Sequence, residues 1–261
     1  MKMSASRILI AALSLMVFFS GCSIKEERDE CPCRLFLDLK SVDKLDQAPF
    51  LLSVMSDDGF EYTAVIDCSN FRDTCIIDVP RTALDVVVWS GGGEYLDQHG
   101  LTIPSGNGCP PVYIYSERLR ACGEVVYDTV CLKKNYCILN VTVENPNDIK
   151  GMMIKGEVSG YDRIGNPRHG DFSINSQTDS SSVGSYSFYL PRQGEAKLYL
   201  DVLESDGMVK TFQMHDYISA FGYDWEARDL SDLNMHLNFT PAGVVVSIKV
   251  WDEEFVIDVV I

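Results

Sequence analysis

The stretch that decides the fold reads Leu139-Asn140-Val141-Thr142-Val143-Glu144, in which apolar and polar residues alternate. Successive side chains of a β-strand point to opposite faces, so this alternation predicts a strand with one buried face. The same alternation recurs at Leu35–Leu39, Ala196–Val202 and Val244–Val250, and Leu84–Trp89 is a valine-rich run. The chain therefore consists mainly of predicted strands.

Helical patterns are scarce, and short helical turns are predicted near Ser116–Arg120 and Asp216–Phe221. Two hairpins are predicted at Leu51–Phe60 and Leu200–Met208, because each contains an Asp-Gly pair that favours the positive φ of a tight turn. Short strands with regular turn signals and no long helices between them predict an all-β protein made of β-sandwiches. The similarity of the two hairpins indicates two domains of similar build.

The first 21 residues have the order of a signal peptide. Two basic residues precede an apolar run at Ile8–Phe19, which is shorter than the roughly 20 residues that span a bilayer. The run Phe19-Ser20-Gly21-Cys22 resembles a lipobox, the alternative being an ordinary secretory signal with a chance cysteine. We therefore expect residues 1–21 to be removed, Cys22 to carry lipid (palmitate among its acyl chains), and residues 22–30 to form a flexible, charged tether.

Charge and length set further limits. Without residues 1–21 the chain keeps 20 basic and 38 acidic side chains, a net charge of −18. Such a chain repels nucleic acid and anionic membrane surfaces, so the lipid must hold it at the membrane. We place the boundary between two domains near Cys131–Asn135, with a cysteine-rich domain over 31–132 and a second domain over 133–261.

Nine cysteines are present, and the lipid uses one of them. An even number remains in an exported protein, which predicts disulfides with a pairing that the sequence leaves open. A zinc site is the alternative, but the spacing lacks the paired motifs of structural zinc. The candidate disulfide cysteines are Cys31, Cys33, Cys68, Cys75, Cys109, Cys122, Cys131 and Cys137.

No motif for catalysis is found. The four histidines form no metal-binding pair, and no nucleophile elbow, phosphate loop or zinc-protease motif is present. Asp57 and Asp58 could bind calcium, but no further ligands follow at the spacing of a calcium loop, which favours a turn. Carboxylates are abundant, and nothing singles out a catalytic pair. We therefore expect no enzyme activity, no metal site and no cofactor.

Three segments resemble a known family. The mature start Cys22-Ser23-Ile24-Lys25-Glu26-Glu27-Arg28-Asp29-Glu30-Cys31-Pro32-Cys33-Arg34-Leu35 resembles that of the fimbrial anchor subunits of Bacteroidales, the minor fimbrial components of the FimB and Mfa type. In that family a lipidated cysteine and a charged leash lead into a Cys-Pro element. Val86–Trp89 and Leu132–Val141 extend the resemblance, which covers most of residues 22–145.

The resemblance implies two tandem transthyretin-like Greek-key β-sandwiches and a role at the base of a fimbrium. It also implies an outer-membrane, surface-exposed location and partners that are other fimbrial subunits, joined by strand addition. Retention of Cys22 favours an anchor over a stalk subunit. The last segment fits a donated strand, since alternate apolar residues share one face, and the alternative is an ordinary last strand of its own sheet. The donor-strand residues are Phe255, Ile257, Val259 and Ile261.

Two functions of different kinds follow. The first is an outer-membrane lipoprotein that anchors or assembles a fimbrium. The alternative is a surface lipoprotein that binds a glycan or a host protein without polymerising. An enzyme is a third and weaker interpretation.

Overall fold

The structure of the chain is a computed structural model, which describes residues 31–42, 49–67, 72–144, 149–178, 184–194, 197–240, 243–250 and 253–259. Within these residues the chain forms twenty strands, a 3-10 turn at Gly93–Tyr95 and one α-helix, α1, at Met214–Ala220. The strands are β1 (Cys33–Asp38), β2 (Phe50–Ser56), β3 (Glu61–Ile66), β4 (Thr74–Val79), β5 (Ala83–Gly91), β6 (Leu96–Asp97), β7 (Gly100–Thr102), β8 (Val112–Arg120), β9 (Val125–Thr129), β10 (Lys133–Lys134), β11 (Tyr136–Glu144), β12 (Ile149–Asp162), β13 (Pro167–Asn175), β14 (Gln177–Thr178), β15 (Ser185–Pro191), β16 (Leu198–Glu204), β17 (Val209–Gln213), β18 (Leu233–Thr240), β19 (Gly243–Val250) and β20 (Glu253–Val259).

These strands form four sheets. Sheet I has the order β4-β1-β9, and sheet II has the order β10-β8-β5-β2-β3. Sheet III has the order β17-β16-β12-β7-β6 with β13 paired to β12, and sheet IV has the order β14-β15-β11-β18-β19-β20. The predicted all-β class is confirmed.

One strand arrangement occurs twice along the chain. In the first half, β1 lies between antiparallel β4 and parallel β9, and the facing sheet contains the order β8-β5-β2-β3. In the second half, β11 lies between antiparallel β15 and parallel β18, and the facing sheet contains the order β17-β16-β12-β13. The chain therefore repeats a seven-strand Greek-key pattern, although the sequence contains no repeat that indicates it.

Two hydrophobic cores lie between these sheets. The first is enclosed by sheets I and II, with Leu35 and Leu37 of β1 facing Leu52 and Val54 of β2. The second lies between sheets III and IV and takes in residues from one face of sheet II. The alternation predicted for β1 is confirmed, because Leu35 and Leu37 are fully buried while the intervening residues are not.

Strand β5 explains the valine-rich run of the sequence. Val86 and Val88 pack in the first core, whereas Val87 and Trp89 pack in the second. A strand that is buried on both faces needs apolar side chains at consecutive positions, and alternation is lost. This strand joins the two cores.

Two local expectations are corrected. Ser116–Arg120 was expected as a helical turn, but it forms the end of strand β8, paired with β5 from Val87 to Ala83. Pairing along a long neighbouring strand outweighs a short helical pattern. The turn expected at Asp216–Phe221 is confirmed by α1. Both predicted hairpins form, as β2–β3 and β16–β17, but they occupy different places in the repeated pattern, so their similarity is not a sign of the repeat.

Candidate assembly site

Two end strands of the described sheets border a groove in the first half of the molecule. Strand β3 ends sheet II and strand β4 ends sheet I, and each has one paired neighbour among the described strands. Between them lies a groove of about 300 Å³, lined by Leu39, Tyr62, Ala64, Val65, Ile66, Arg72, Thr74, Cys75 and Ile76. An edge strand presents a row of backbone N–H and C=O groups, so this groove offers two templates for an incoming strand.

The lining of this groove is mainly apolar. Val65 is 59% exposed and Ile76 is 55% exposed, and they stand at its mouth. Deeper in, burial raises the pKa of the Tyr62 hydroxyl, and nearby Cys75 adds to the rise. Burial also raises the pKa of the Cys75 thiol. These two groups are neutral near pH 7, and the lining also includes the charged side chain of Arg72.

The expected donor strand forms β20 at the other end of the molecule. It pairs antiparallel with β19, from Val244 opposite Val259 to Val250 opposite Glu253, and it is the last strand of sheet IV. Phe255, Ile257 and Val259 lie at alternate positions of this strand, and Ile261 lies outside the described residues. In this structure β20 is a strand of its own sheet, with β19 as its one paired neighbour among the described strands.

A second apolar hollow lies on the outer face of sheet III. It has a volume of about 410 Å³ and is bordered by Gly151, Met153, Leu203 and Val209. The adjoining turn carries Met208, which is 60% exposed. The hollow shares no lining residue with the groove between β3 and β4.

The candidate disulfide cysteines are distributed through the first half and the junction. All the described ones are free thiols: Cys31 and Cys122 are exposed, Cys75 and Cys131 are partly buried, and Cys33, Cys109 and Cys137 are buried. Cys68 lies outside the described residues. Burial raises the pKa of the Cys137 thiol to about 12, and it raises that of Cys109 well above its usual value.

The expected anchor cannot be compared with the structure, because residues 1–21, Cys22 and the tether to residue 30 lie outside the described part. Within that part, no helix is both long and apolar enough to cross a membrane. The described residues also contain no group of three or more side chains arranged to hold a metal ion.

Sequence reasoning missed a buried polar network where the two cores meet. The Arg192 side chain is buried and donates hydrogen bonds to the carbonyl oxygens of Trp225 and, at 2.9 Å, Ala227. Its Nε donates to Asn135 Oδ1 at 3.1 Å. The Tyr161 hydroxyl donates to the Asn135 carbonyl and accepts the Arg192 backbone N–H at 2.8 Å. These hydrogen bonds hold the 224–230 segment in place. No sequence motif around Arg192 predicted them.

The described residues define a class: an all-β protein of packed, mainly antiparallel sheets in which β3, β4 and β20 are the end strands of their sheets. No protein-family model matches the chain, and no curated protein matches it.

Solved structures of surface proteins share its fold. The fimbrial anchor protein Mfa2 from Porphyromonas gingivalis matches with a TM-score of 0.64 at 12% identity, over 86% of this chain and 99% of that chain. An adhesin candidate from Bacteroides ovatus matches with a TM-score of 0.60 at 9% identity, over 87% of this chain and 96% of that chain. A protein from Bacteroides thetaiotaomicron, named as a candidate polysaccharide-binding protein, matches with a TM-score of 0.58 at 12% identity, over 87% and 98%. The chain therefore has the fold of a fimbrial anchor and of Bacteroides adhesin candidates, which confirms the resemblance at the level of the fold.

Proposed function

We propose that this chain is an outer-membrane lipoprotein that anchors or assembles a fimbrium at the cell surface. The observation that carries the proposal is the extent of the fold match, since 99% of the Mfa2 anchor chain is covered at a TM-score of 0.64. The signal peptide and the lipobox-like Phe19–Cys22 segment agree with a membrane-attached role. The repeated seven-strand pattern supports two tandem transthyretin-like sandwiches, with the second beginning near β11.

Strand addition is the proposed means of contact. The groove between β3 and β4 has two edge strands and mainly apolar walls, with Arg72 and Thr74 as polar members, so it suits a strand with apolar side chains at alternate positions. Strand β20 carries Phe255, Ile257 and Val259 at such positions, and it could leave sheet IV to complete a sheet of a neighbouring subunit. Removal of β20 would leave β19 as the edge, which keeps the remaining pairs of sheet IV intact.

The anchor role is tested by deleting the gene and complementing it with the wild-type chain or with Cys22→Ser. We expect the deletion strain to shed fimbriae into the medium, and Cys22→Ser to fail to restore attachment because it carries no lipid. Ser23→Ala is the matched control, since Ser23 is the next residue in the sequence and has no assigned role. Fimbriae of normal number and length on the deletion strain would contradict the anchor role and favour the non-polymerising alternative.

The groove is tested by Val65→Lys and Ile76→Lys, which place a charge at its mouth. We expect both to reduce copurification of fimbrial subunits from outer membranes, because a docked strand would have to desolvate the lysine. Met208→Lys, equally exposed but outside the groove, is the control. Equal recovery of subunits with all three variants would count against strand addition at this groove.

The donor role of β20 is tested by Ile257→Lys, with Asp258→Lys on the alternate face as control. If β20 is donated, Ile257→Lys lowers copurification while the isolated chain keeps its urea midpoint. If the isolated chain is destabilised and copurification with subunits is unchanged, β20 is a strand of its own sheet only.

A further inference from the structure

The outer face of sheet I carries a row of exposed apolar side chains. In the strand register, Phe36 of β1 lies opposite Ile76 of β4 on one side and Tyr127 of β9 on the other. Tyr127 is 73% exposed and Ile76 is 55% exposed. This face is turned away from the first core, which takes the intervening residues Leu35 and Leu37.

The two aromatic rings of this row are stacked. The centroids of Phe36 and Tyr127 are 5.0 Å apart, and the ring planes differ by 27°. Phe36 therefore supports the Tyr127 ring from one side while most of the tyrosine surface remains in solvent. A ring held in this way offers an apolar platform whose orientation is already fixed, which lowers the entropic cost of binding.

A polar row borders the platform. Two residues further along the same strands, Asp38 lies between Thr74 and Thr129 in the register. Side chains on one face of a strand are spaced by about 6.6 Å, so this row lies roughly one sugar ring from the aromatic row. Asp38 Oδ1 accepts the Lys40 backbone N–H at 3.0 Å, which orients the carboxylate.

The two rows enclose a hollow of about 500 Å³, lined by Phe36, Asp38, Thr74, Tyr127, Asp128 and Thr129. Its volume falls in the range of small-molecule sites, about 300–1,000 Å³. The hollow lies on the outer face of sheet I; it shares Thr74 with the groove between β3 and β4, whereas Tyr127 and Asp38 do not line that groove.

We infer that this hollow binds a neutral sugar residue of a glycan. The C–H face of a sugar ring would lie on Tyr127, and its hydroxyls would bond to the Asp38 carboxylate and to the two threonine hydroxyls. A neutral sugar can stack on the aromatic row and donate hydrogen bonds to the carboxylate at the same time. An apolar protein surface would bury the charged Asp38 carboxylate and add no donor to the Lys40 N–H that it already accepts, which is costly.

The charges near the hollow select against acidic glycans. Arg34, a cation of β1, already pairs with Asp78 at 3.4 Å, and the lining of the hollow carries two carboxylates, Asp38 and Asp128. The carboxylate of Asp38 and the net charge of the mature chain both repel uronic acids and sulfated sugars. This inference concerns adhesion and does not depend on strand addition or on the anchor role.

The test is affinity electrophoresis of the mature chain through gels containing a neutral polysaccharide: a β-glucan, an α-mannan, a galactan or a xylan, with polygalacturonate as the acidic comparison. We expect retardation by at least one neutral polymer and none by polygalacturonate. Tyr127→Ala should weaken binding by roughly tenfold or more, equivalent to about 1.4 kcal/mol. Tyr127→Phe should retain binding, because the ring remains.

Asp38→Asn tests the polar row separately from the aromatic row, because asparagine can still accept the Lys40 N–H but has no charge. We expect this variant to bind the polysaccharide more weakly than wild type does. Met208→Ala, an exposed apolar change on sheet III, should bind as wild type does. Thermal unfolding by circular dichroism checks that each variant is folded. Unretarded migration in all four neutral polymers overturns the inference, and so does equal retardation of Tyr127→Ala. If Tyr127→Ala instead changes the oligomeric state in gel filtration, the face is a protein contact and the inference is wrong.

Discussion

The rings of Trp89 and Tyr161 meet edge to face, with centroids 6.5 Å apart and planes at 62°. Trp89 belongs to β5 in the first half of the chain, and Tyr161 belongs to β12 in the second. Both are buried in the second core, so this contact ties sheet II to sheet III. The nearby pairing of β7 with β12 extends the same connection through the backbone.

Trp89→Ala should destabilise the whole molecule, because it leaves a cavity where the two halves meet. We expect the free energy of unfolding to fall by about 3–5 kcal/mol. Urea titration followed by far-UV circular dichroism measures this change. Trp89→Phe should cost less, and Met208→Ala, which is exposed, should stay within about 0.5 kcal/mol of wild type. Equal midpoints for Trp89→Ala and Met208→Ala would show that Trp89 does not support the junction.

Arg192→Met tests the polar network beside this junction. Methionine retains much of the side-chain volume but leaves the carbonyls of Trp225 and Ala227 without their donor, so we expect a loss of about 2 kcal/mol. The control is Arg34→Met, whose ion pair with Asp78 is exposed and should contribute no more than about 1 kcal/mol. Amide hydrogen exchange should also rise in the 224–230 segment of Arg192→Met alone. Unchanged exchange there would contradict the role given to Arg192.

Asp201 should make stability depend on pH at the acid end. Burial alone raises the pKa of this carboxyl, but hydrogen bonds from Lys155 and Thr211 and the lysine charge outweigh it, so its pKa lies below the ordinary value. The carboxylate bonds at 2.6 Å to Lys155 Nζ and at 2.6 Å to Thr211 Oγ1. A lowered pKa stabilises the fold above the unfolded-state pKa of about 4 and loses that contribution as the pH falls.

We therefore expect Asp201→Asn to be less stable than wild type at pH 7, with the difference shrinking when urea titrations are repeated near pH 3. Thr211→Val removes one of the two bonds and should show a smaller version of the same trend. A difference between Asp201→Asn and wild type that stays constant with pH would mean that the carboxylate charge is not what stabilises this site.

The cysteines should differ sharply in reactivity. In the reduced, folded protein, iodoacetamide should modify the exposed Cys31 and Cys122 and leave Cys109 and Cys137 unmodified, because burial excludes the reagent and raises both thiol pKa values. Peptide mapping by mass spectrometry reads out each site. Omitting the reductant identifies disulfides directly, since a cysteine that is labelled only after reduction was paired. Rapid labelling of Cys137 in the folded state would contradict its place in the core.

The sequence by itself determined the all-β class and most of the strands. Alternation such as that of Leu139–Glu144 is a local property, because a strand with one buried face needs apolar residues at every second position. The structure shows the strand where the pattern predicts it. It also gave the two Asp-Gly hairpins, since turn geometry depends on only a few adjacent residues. Ser116–Arg120 was misjudged because its pairing partners in β5, Val87 to Ala83, lie 29 to 37 positions earlier.

Only the tertiary structure decided what depends on distant parts of the chain. The two-sided burial of β5, the groove between β3 and β4, and the Arg192 network all require sheets whose strands come from separate regions. The Phe36–Tyr127 platform is the clearest case, because its rings are about ninety residues apart in sequence and meet only through the parallel pairing of β1 with β9. Strand register is set by the packing of whole sheets, and no short segment contains that information.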